Sequence, residues 1–154
     1  QCNTEDVLDK IDGYINLIKE NARLEKRIED INIKDMISNL DVLKESKEYT
    51  FYFSRINEPI DIKNFIDQFY VNYSKRSIVL VEIRSDKLIL ALAVSKDISE
   101  NINAGEIVKN IAKEVGSGGG GPKHFGTAEF NDIVKYNKAI DSLKKYIKES
   151  NIEK

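Results

Sequence analysis

The segment Gly116-Ser117-Gly118-Gly119-Gly120-Gly121-Pro122 does most to narrow the folds open to this chain. Four successive glycines lose more conformational freedom on ordering than other residues would. A folded chain keeps them where its backbone takes positive φ angles or where something approaches too closely for a Cβ. Free N–H groups in such a loop suit phosphate oxygens, and Lys123 and His124 just beyond it add positive charge. A tightly packed helix-to-strand crossover explains the same glycines without a ligand. The loop lacks the Gly-Lys-Ser/Thr ending of a P-loop, and no strand leads into it as in a Rossmann fingerprint. Both of those nucleotide motifs are excluded.

Elsewhere the hydrophobic period sets the elements. Val7, Ile11, Ile15, Ile18 and Ala22 recur at spacings of three and four, and Leu24, Ile28 and Ile31 extend the row, which predicts a helix. Thr4 is its expected N-cap, with Glu5 and Asp6 at the positive end of the dipole. The period resumes at Ile33, Met36, Ile37, Leu40 and Leu43. With no glycine or proline between the stretches, one long helix and a helical hairpin both stay open. Near Tyr49 the pattern changes. Thr50 to Ser54 reads as a strand, and Pro59 opens an amphipathic helix carrying Ile62, Phe65, Ile66, Phe69, Tyr70 and Tyr73. Ser77–Ile83 and Leu88–Val94 read as strands joined by a hairpin turn at 84–87. Asn103 and Glu106 resemble a capping box for a helix through Val115. Phe125–Phe130 reads as a short edge strand, and a closing helix is expected over about 136–148, burying Ile140, Leu143 and Ile147.

The order predicts an α/β (α+β) fold: a helical arm over 1–48, then a globular domain over 49–154 with a three- or four-stranded sheet covered by helices. The arm's narrow apolar stripe suits a coiled-coil or dimerisation segment. Hydrophobic residues make up 41% and charged residues 32% of 154 residues, as in a soluble globular protein, and no apolar run suits a membrane span. The polar, acidic start does not read as a signal or transit peptide, and Cys2, the only cysteine, fits a reducing cytoplasm. The net charge is −2. Residues 1–48 carry 8 basic and 12 acidic groups, whereas 103–150 carry 8 basic and 6 acidic, so an anionic partner is expected to prefer the C-terminal third.

No active site emerges from residue spacing. His124 is the lone histidine, which excludes a usual zinc centre and reads most simply as a solvated side chain. The aromatics Tyr52, Phe65, Phe69, Tyr70 and Tyr73 sit where core or core-edge residues belong; exposed rings among them would instead suit base stacking.

Asn103-Ala104-Gly105-Glu106-Ile107-Val108, the helix after it, Gly118–Gly121 and Phe125-Gly126-Thr127-Ala128 together resemble the C-terminal domain of alanyl-tRNA synthetases, in the DHH-associated domain family. Where that family commonly has Gly-Gly after the alanine, this chain has Glu129-Phe130. The resemblance implies a tRNA-binding appendage that contacts the outer corner of alanine-specific tRNA and helps aminoacylation and editing cooperate. It implies no cofactor here; ATP, Mg and an editing-site Zn would belong to other domains of the parent synthetase. Gly118, Gly119, Gly120 and Gly121 match the family's loop, whereas the family often has a less basic segment where this chain has Lys123-His124. The charge of Lys123, His124, Lys109 and Lys113 beside the loop adds them to its glycines as the expected phosphate contacts. Replacing Gly119 or Gly120 with valine is expected to weaken binding with the fold intact. A DHH-type phosphoesterase accessory domain and a dimerisation module are the competing readings.

Overall fold

The computed structural model describes residues 4–149. Helix α1 (Thr4–Ser38) leads into β1 (Asp41–Glu45), β2 (Thr50–Ile56), α2 (Ile62–Asn72), β3 (Ser77–Arg84) and β4 (Leu88–Val94). Then come α3 (Ala104–Glu114), the two-residue β5 (Gly119–Gly120), β6 (Phe125–Phe130) and α4 (Ile133–Glu149). The strands form one sheet in the order β1-β2-β3-β4-β6-β5. Only β2 and β3 run parallel, joined by α2 as the crossover; the other neighbours are antiparallel.

Both faces of the sheet are covered, which explains why β3 is buried along almost its whole length. Ile78 and Leu80 of β3, with Leu90 and Leu92 of β4, pack under α3 and α4 against Val108, Ile111, Ile140 and Leu143. Val79, Val81 and Ile83 point the other way, onto Phe65, Ile66 and Phe69 of α2 and onto Ile33 and Ile37 of α1. Those two isoleucines are the buried residues of α1; its earlier turns leave Val7, Ile11, Ile15 and Ile18 exposed.

The α/β class matches the sequence reading, but the sheet has six strands where three or four were expected. Two additions account for the difference. The helix ends at Ser38, and Leu43, expected to continue the helical period, lies in β1. The stop is made by polar side chains: Ser38 Oγ and Asn39 Nδ2 both donate to Asp35 O, at 2.8 and 2.9 Å, taking up an orphan carbonyl of the last turn. No glycine or proline announces it. The second addition is β5, built from the glycine run itself and paired with Ala128 and Thr127. As a result β6, read as an edge strand, lies between β4 and β5. The first stretch is a single helix, not a hairpin. Cys2 lies outside the described residues.

Candidate nucleic-acid interface

Helix α3 starts where the sequence marks it. Asn103 Oδ1 accepts from Glu106 N at 3.0 Å, as an N-cap should. The next satisfied donors are unusual. Ala104 N donates to Lys123 O at 2.7 Å and Gly105 N to Pro122 O at 3.1 Å, so the end of the glycine loop lies across the mouth of the helix. Ile107 N takes Asn103 O at 3.0 Å. The first-turn amides of α3 are thereby bonded within the chain, and none of these four is left for an anion in the manner of a phosphate-binding helix start.

Glycine is required here because backbone meets backbone. A Cβ on Gly105 would drive into the carbonyl of Gly121, and one on Gly121 into that of Phe125. A Cβ on Gly126 would stand 2.7 Å from Ala104 O, and one on Gly119 would stand 2.7 Å from Ala128 Cβ. The close partner of the loop is thus α3 and β6 of the same chain. This corrects the expectation that Gly119→Val or Gly120→Val would spare the fold. Gly119 has no room, and Gly120 sits at φ +152°, where side chains are strained. Gly118 is different: open space surrounds its Cβ position, and it is exposed.

Of the residues expected to touch phosphate, Lys109, Gly120, Gly121 and Lys123 share one shallow cleft of about 410 Å³, with Asn103, Glu106 and Asn110 on its walls. Lys113 is exposed one helical turn beyond Lys109 and so extends the same face. Gly118, Gly119 and His124 stand outside the cleft. Lys123 is not a free cation: its Nζ lies 2.8 Å from Glu100 Oε2. Both side chains are more than half exposed, so the pair is screened and weak. His124 is held through its backbone. Its carbonyl accepts from Val94 N at 2.8 Å and from the Tyr70 hydroxyl at 2.6 Å, while its ring lies 6.0 Å from that of Tyr70.

Among the aromatics, Phe65 and Phe69 are fully buried, as core residues should be. Tyr52, Tyr70 and Tyr73 are half-buried and pack on Phe69 or on one another, with the Tyr52 and Tyr73 rings 4.7 Å apart. Glu100 and Tyr70 belong to the loop's surroundings: spacing gave no sign of Glu100, and it set Tyr70 on a helix as a core-edge ring without its tie to His124. Among the described residues, no three His, Cys, Asp or Glu side chains gather as a metal would need, and no helix is long and apolar enough to cross a membrane.

Comparison with known proteins places this geometry. The alanine–tRNA ligase of Fervidobacterium nodosum is 32% identical over 137 residues, which are 86% of this chain and 16% of that protein. The chain therefore spans about a sixth of that relative's length. The C-Ala domain of Aquifex aeolicus alanyl-tRNA synthetase superposes with a TM-score of 0.58 at 23% identity, over 70% of this chain and 98% of that domain. A pGpG-specific phosphodiesterase from Vibrio cholerae superposes with a TM-score of 0.52 at 19% identity, over 79% of this chain and 39% of that one. At such identities the two superpositions speak for the fold alone. The model of the DHHA1 domain matches residues 46–149, from the turn before β2 to the end of α4. The chain belongs to the DHHA1 domain family.

Proposed function

We propose that this chain is the non-catalytic, tRNA-binding C-terminal module of an alanine–tRNA ligase. It would contact the outer corner of alanine-specific tRNA and help aminoacylation and editing cooperate in the cytoplasm. The observation that carries the reading is the kinship with an alanine–tRNA ligase along 86% of the chain. The arrangement of the α3 face supports it: Lys109, Lys113 and Lys123 flank a loop whose own fold keeps its backbone bare. Such a surface recognises phosphates and shape more than base sequence. Glycines 118–121 give it low relief, and His124 lies at its margin. The other domains of the synthetase are the natural neighbours of the arm over residues 1–48, with ATP, Mg and the editing Zn in those domains.

The test is fluorescence anisotropy with labelled tRNA at two salt concentrations. Lys123→Glu should weaken binding and flatten the salt dependence by roughly one phosphate contact. Glu100→Gln should do the reverse, because it releases Lys123 from its carboxylate partner. Equal affinity for all three proteins would remove this face from the binding surface.

A competing reading is an accessory substrate domain of a DHH-type phosphoesterase; a pGpG-specific phosphodiesterase shares the fold, which is compatible with either function. A domain of that class should bind a dinucleotide such as pGpG and ignore tRNA. The same titration with both ligands separates the two.

A further inference from the structure

A second group of cations lies on the same rim of the sheet as Lys123 and His124. The strand register shows the rim's continuity. Thr50 pairs with Ser77, Ile78 with Val94, and Ala93 with Phe125, so the start of β2, the start of β3, the end of β4 and the start of β6 line up. Backbone bonds tie the adjoining turns together. Thr50 N donates to Arg76 O, Ser95 N to Ser77 O, and Val94 N to His124 O, each at 2.8 Å. From β2 to β6 this edge covers three strand spacings, roughly 14 Å.

At the β2–β3 end of the rim lies a cleft of about 530 Å³, with Lys47, Lys75 and Arg76 at its mouth and the packed Tyr52–Tyr73 pair as a wall. All three cations are exposed, and the two lysines have no ion-pair partner among the described residues. Lys96 stands on the next turn. Three carboxylates stand near this end of the rim: Glu48 follows Lys47, Asp97 follows Lys96, and Glu45 of β1 lies close enough to Tyr52 to act on it through its charge. Asp97 is oriented toward the backbone, its oxygens accepting from Arg76 N at 3.0 and 3.2 Å and from Ser95 Oγ at 2.6 Å, and its charge offsets part of that of Lys96 beside it.

Arg76 carries the argument further. Its φ is +50°, the one positive value among described residues other than glycine. Glycine or asparagine holds that left-handed conformation with less strain, so an arginine there needs a reason in its side chain. The guanidinium donates to Lys47 O at 3.2 Å, which joins the two turns and leaves the group at the surface.

We propose that Lys47, Lys75 and Arg76 form a second phosphate-contact site for the RNA. On this reading the backbone of the nucleic acid follows the rim from the Lys109–Lys123 cleft toward the β1–β2 turn. The inference rests on the tRNA-binding reading and extends its surface well beyond the glycine loop.

The experiment uses the full chain and labelled tRNA, with affinity read by anisotropy across a salt series and folding by thermal melting. Arg76→Gly relieves the φ strain, so it should melt at or above the temperature of the unaltered chain. It should still bind about three- to tenfold more weakly, with a salt slope shallower by roughly one. Lys47→Ala with Lys75→Ala touches no hydrogen bond of those side chains in the structure and should flatten the slope by roughly two. That pair decides the matter if Arg76→Gly loses stability instead. Unchanged affinity and slope in the double variant, with Lys123→Glu still weakening binding, would overturn this site and leave the tRNA reading standing. No binding of tRNA by the unaltered chain would overturn both.

Discussion

Tyr70 shows how one hydroxyl can hold a loop. It reaches out of α2 to the carbonyls of Val94, at 3.1 Å, and His124, at 2.6 Å, and so ties the ends of β4 and the glycine segment to the opposite face. Burial raises its pKa from 10.0 to about 12, because the phenolate would lose its water. The sign of the pH effect follows. The folded state keeps its proton where the unfolded chain gives it up, so this stabilisation is complete below pH 10 and is lost as pH rises through 12. Tyr136 shifts in the same direction, also mainly through burial. Tyr70→Phe should lower stability at neutral pH by about 1 kcal/mol. Urea denaturation between pH 8 and 11 should show a shallower alkaline fall for the variant; an identical fall would dissociate Tyr70 from the effect. Sequence made the local contact at Asn103 legible, since a cap and its amide are three residues apart. It hid the tie made by Tyr70, whose acceptor on His124 is 54 residues away, and Glu82, buried in β3 between Arg55 and Arg84. Nothing in an apolar strand pattern announces a carboxylate whose partner lies 27 residues upstream.

At the level of elements, the α3–loop–β6 junction depends on glycines that do different things. Gly105→Ala should cost about 2–3 kcal/mol, because the new methyl meets the Gly121 carbonyl and neither backbone can retreat. Gly118→Ala should stay within about 0.5 kcal/mol of the parent chain, since open space surrounds that site. Chemical denaturation of the two variants checks the contrast; equal losses would mean the loop is not seated on α3. From the sequence, a run of glycines signals only that a Cβ is unwelcome. Which of them meets helix, which meets strand and which meets water is decided by tertiary approach. The same limit applies to β1 and β5: a five-residue strand after a long helix and a two-residue strand of glycine have too little period to register. The longer elements were legible because their apolar spacing persists over several turns or alternations.

Across the whole molecule, the arm is the part that the core does not explain. Val7, Ile11, Ile15 and Ile18 are 44–67% exposed along one row of α1, and α1 meets the body through its last third. There Glu29 and Asp30 accept from Asp61 N and Asn64 Nδ2 on α2, and Ile33 and Ile37 are buried. We propose that the exposed row packs on a second copy or on neighbouring domains, because so much apolar surface is costly to leave in water. Sedimentation over a concentration range should show self-association of the chain, and deletion of residues 1–27 should abolish it without lowering the melting temperature. A chain that stays monomeric at every concentration would leave neighbouring domains as the arm's cover. The strand order has a further consequence for synthesis. From β2 to β4, consecutive elements are spatial neighbours, so this half can pair as soon as it leaves the ribosome. The far side of β4, Leu88–Val94, then stays bare until β6 arrives some thirty residues later. During that interval an unbroken Leu-Ile-Leu-Ala-Leu-Ala-Val edge stands ready to template pairing with another nascent chain. How quickly β6 docks on β4 therefore sets how long each new molecule remains prone to aggregate.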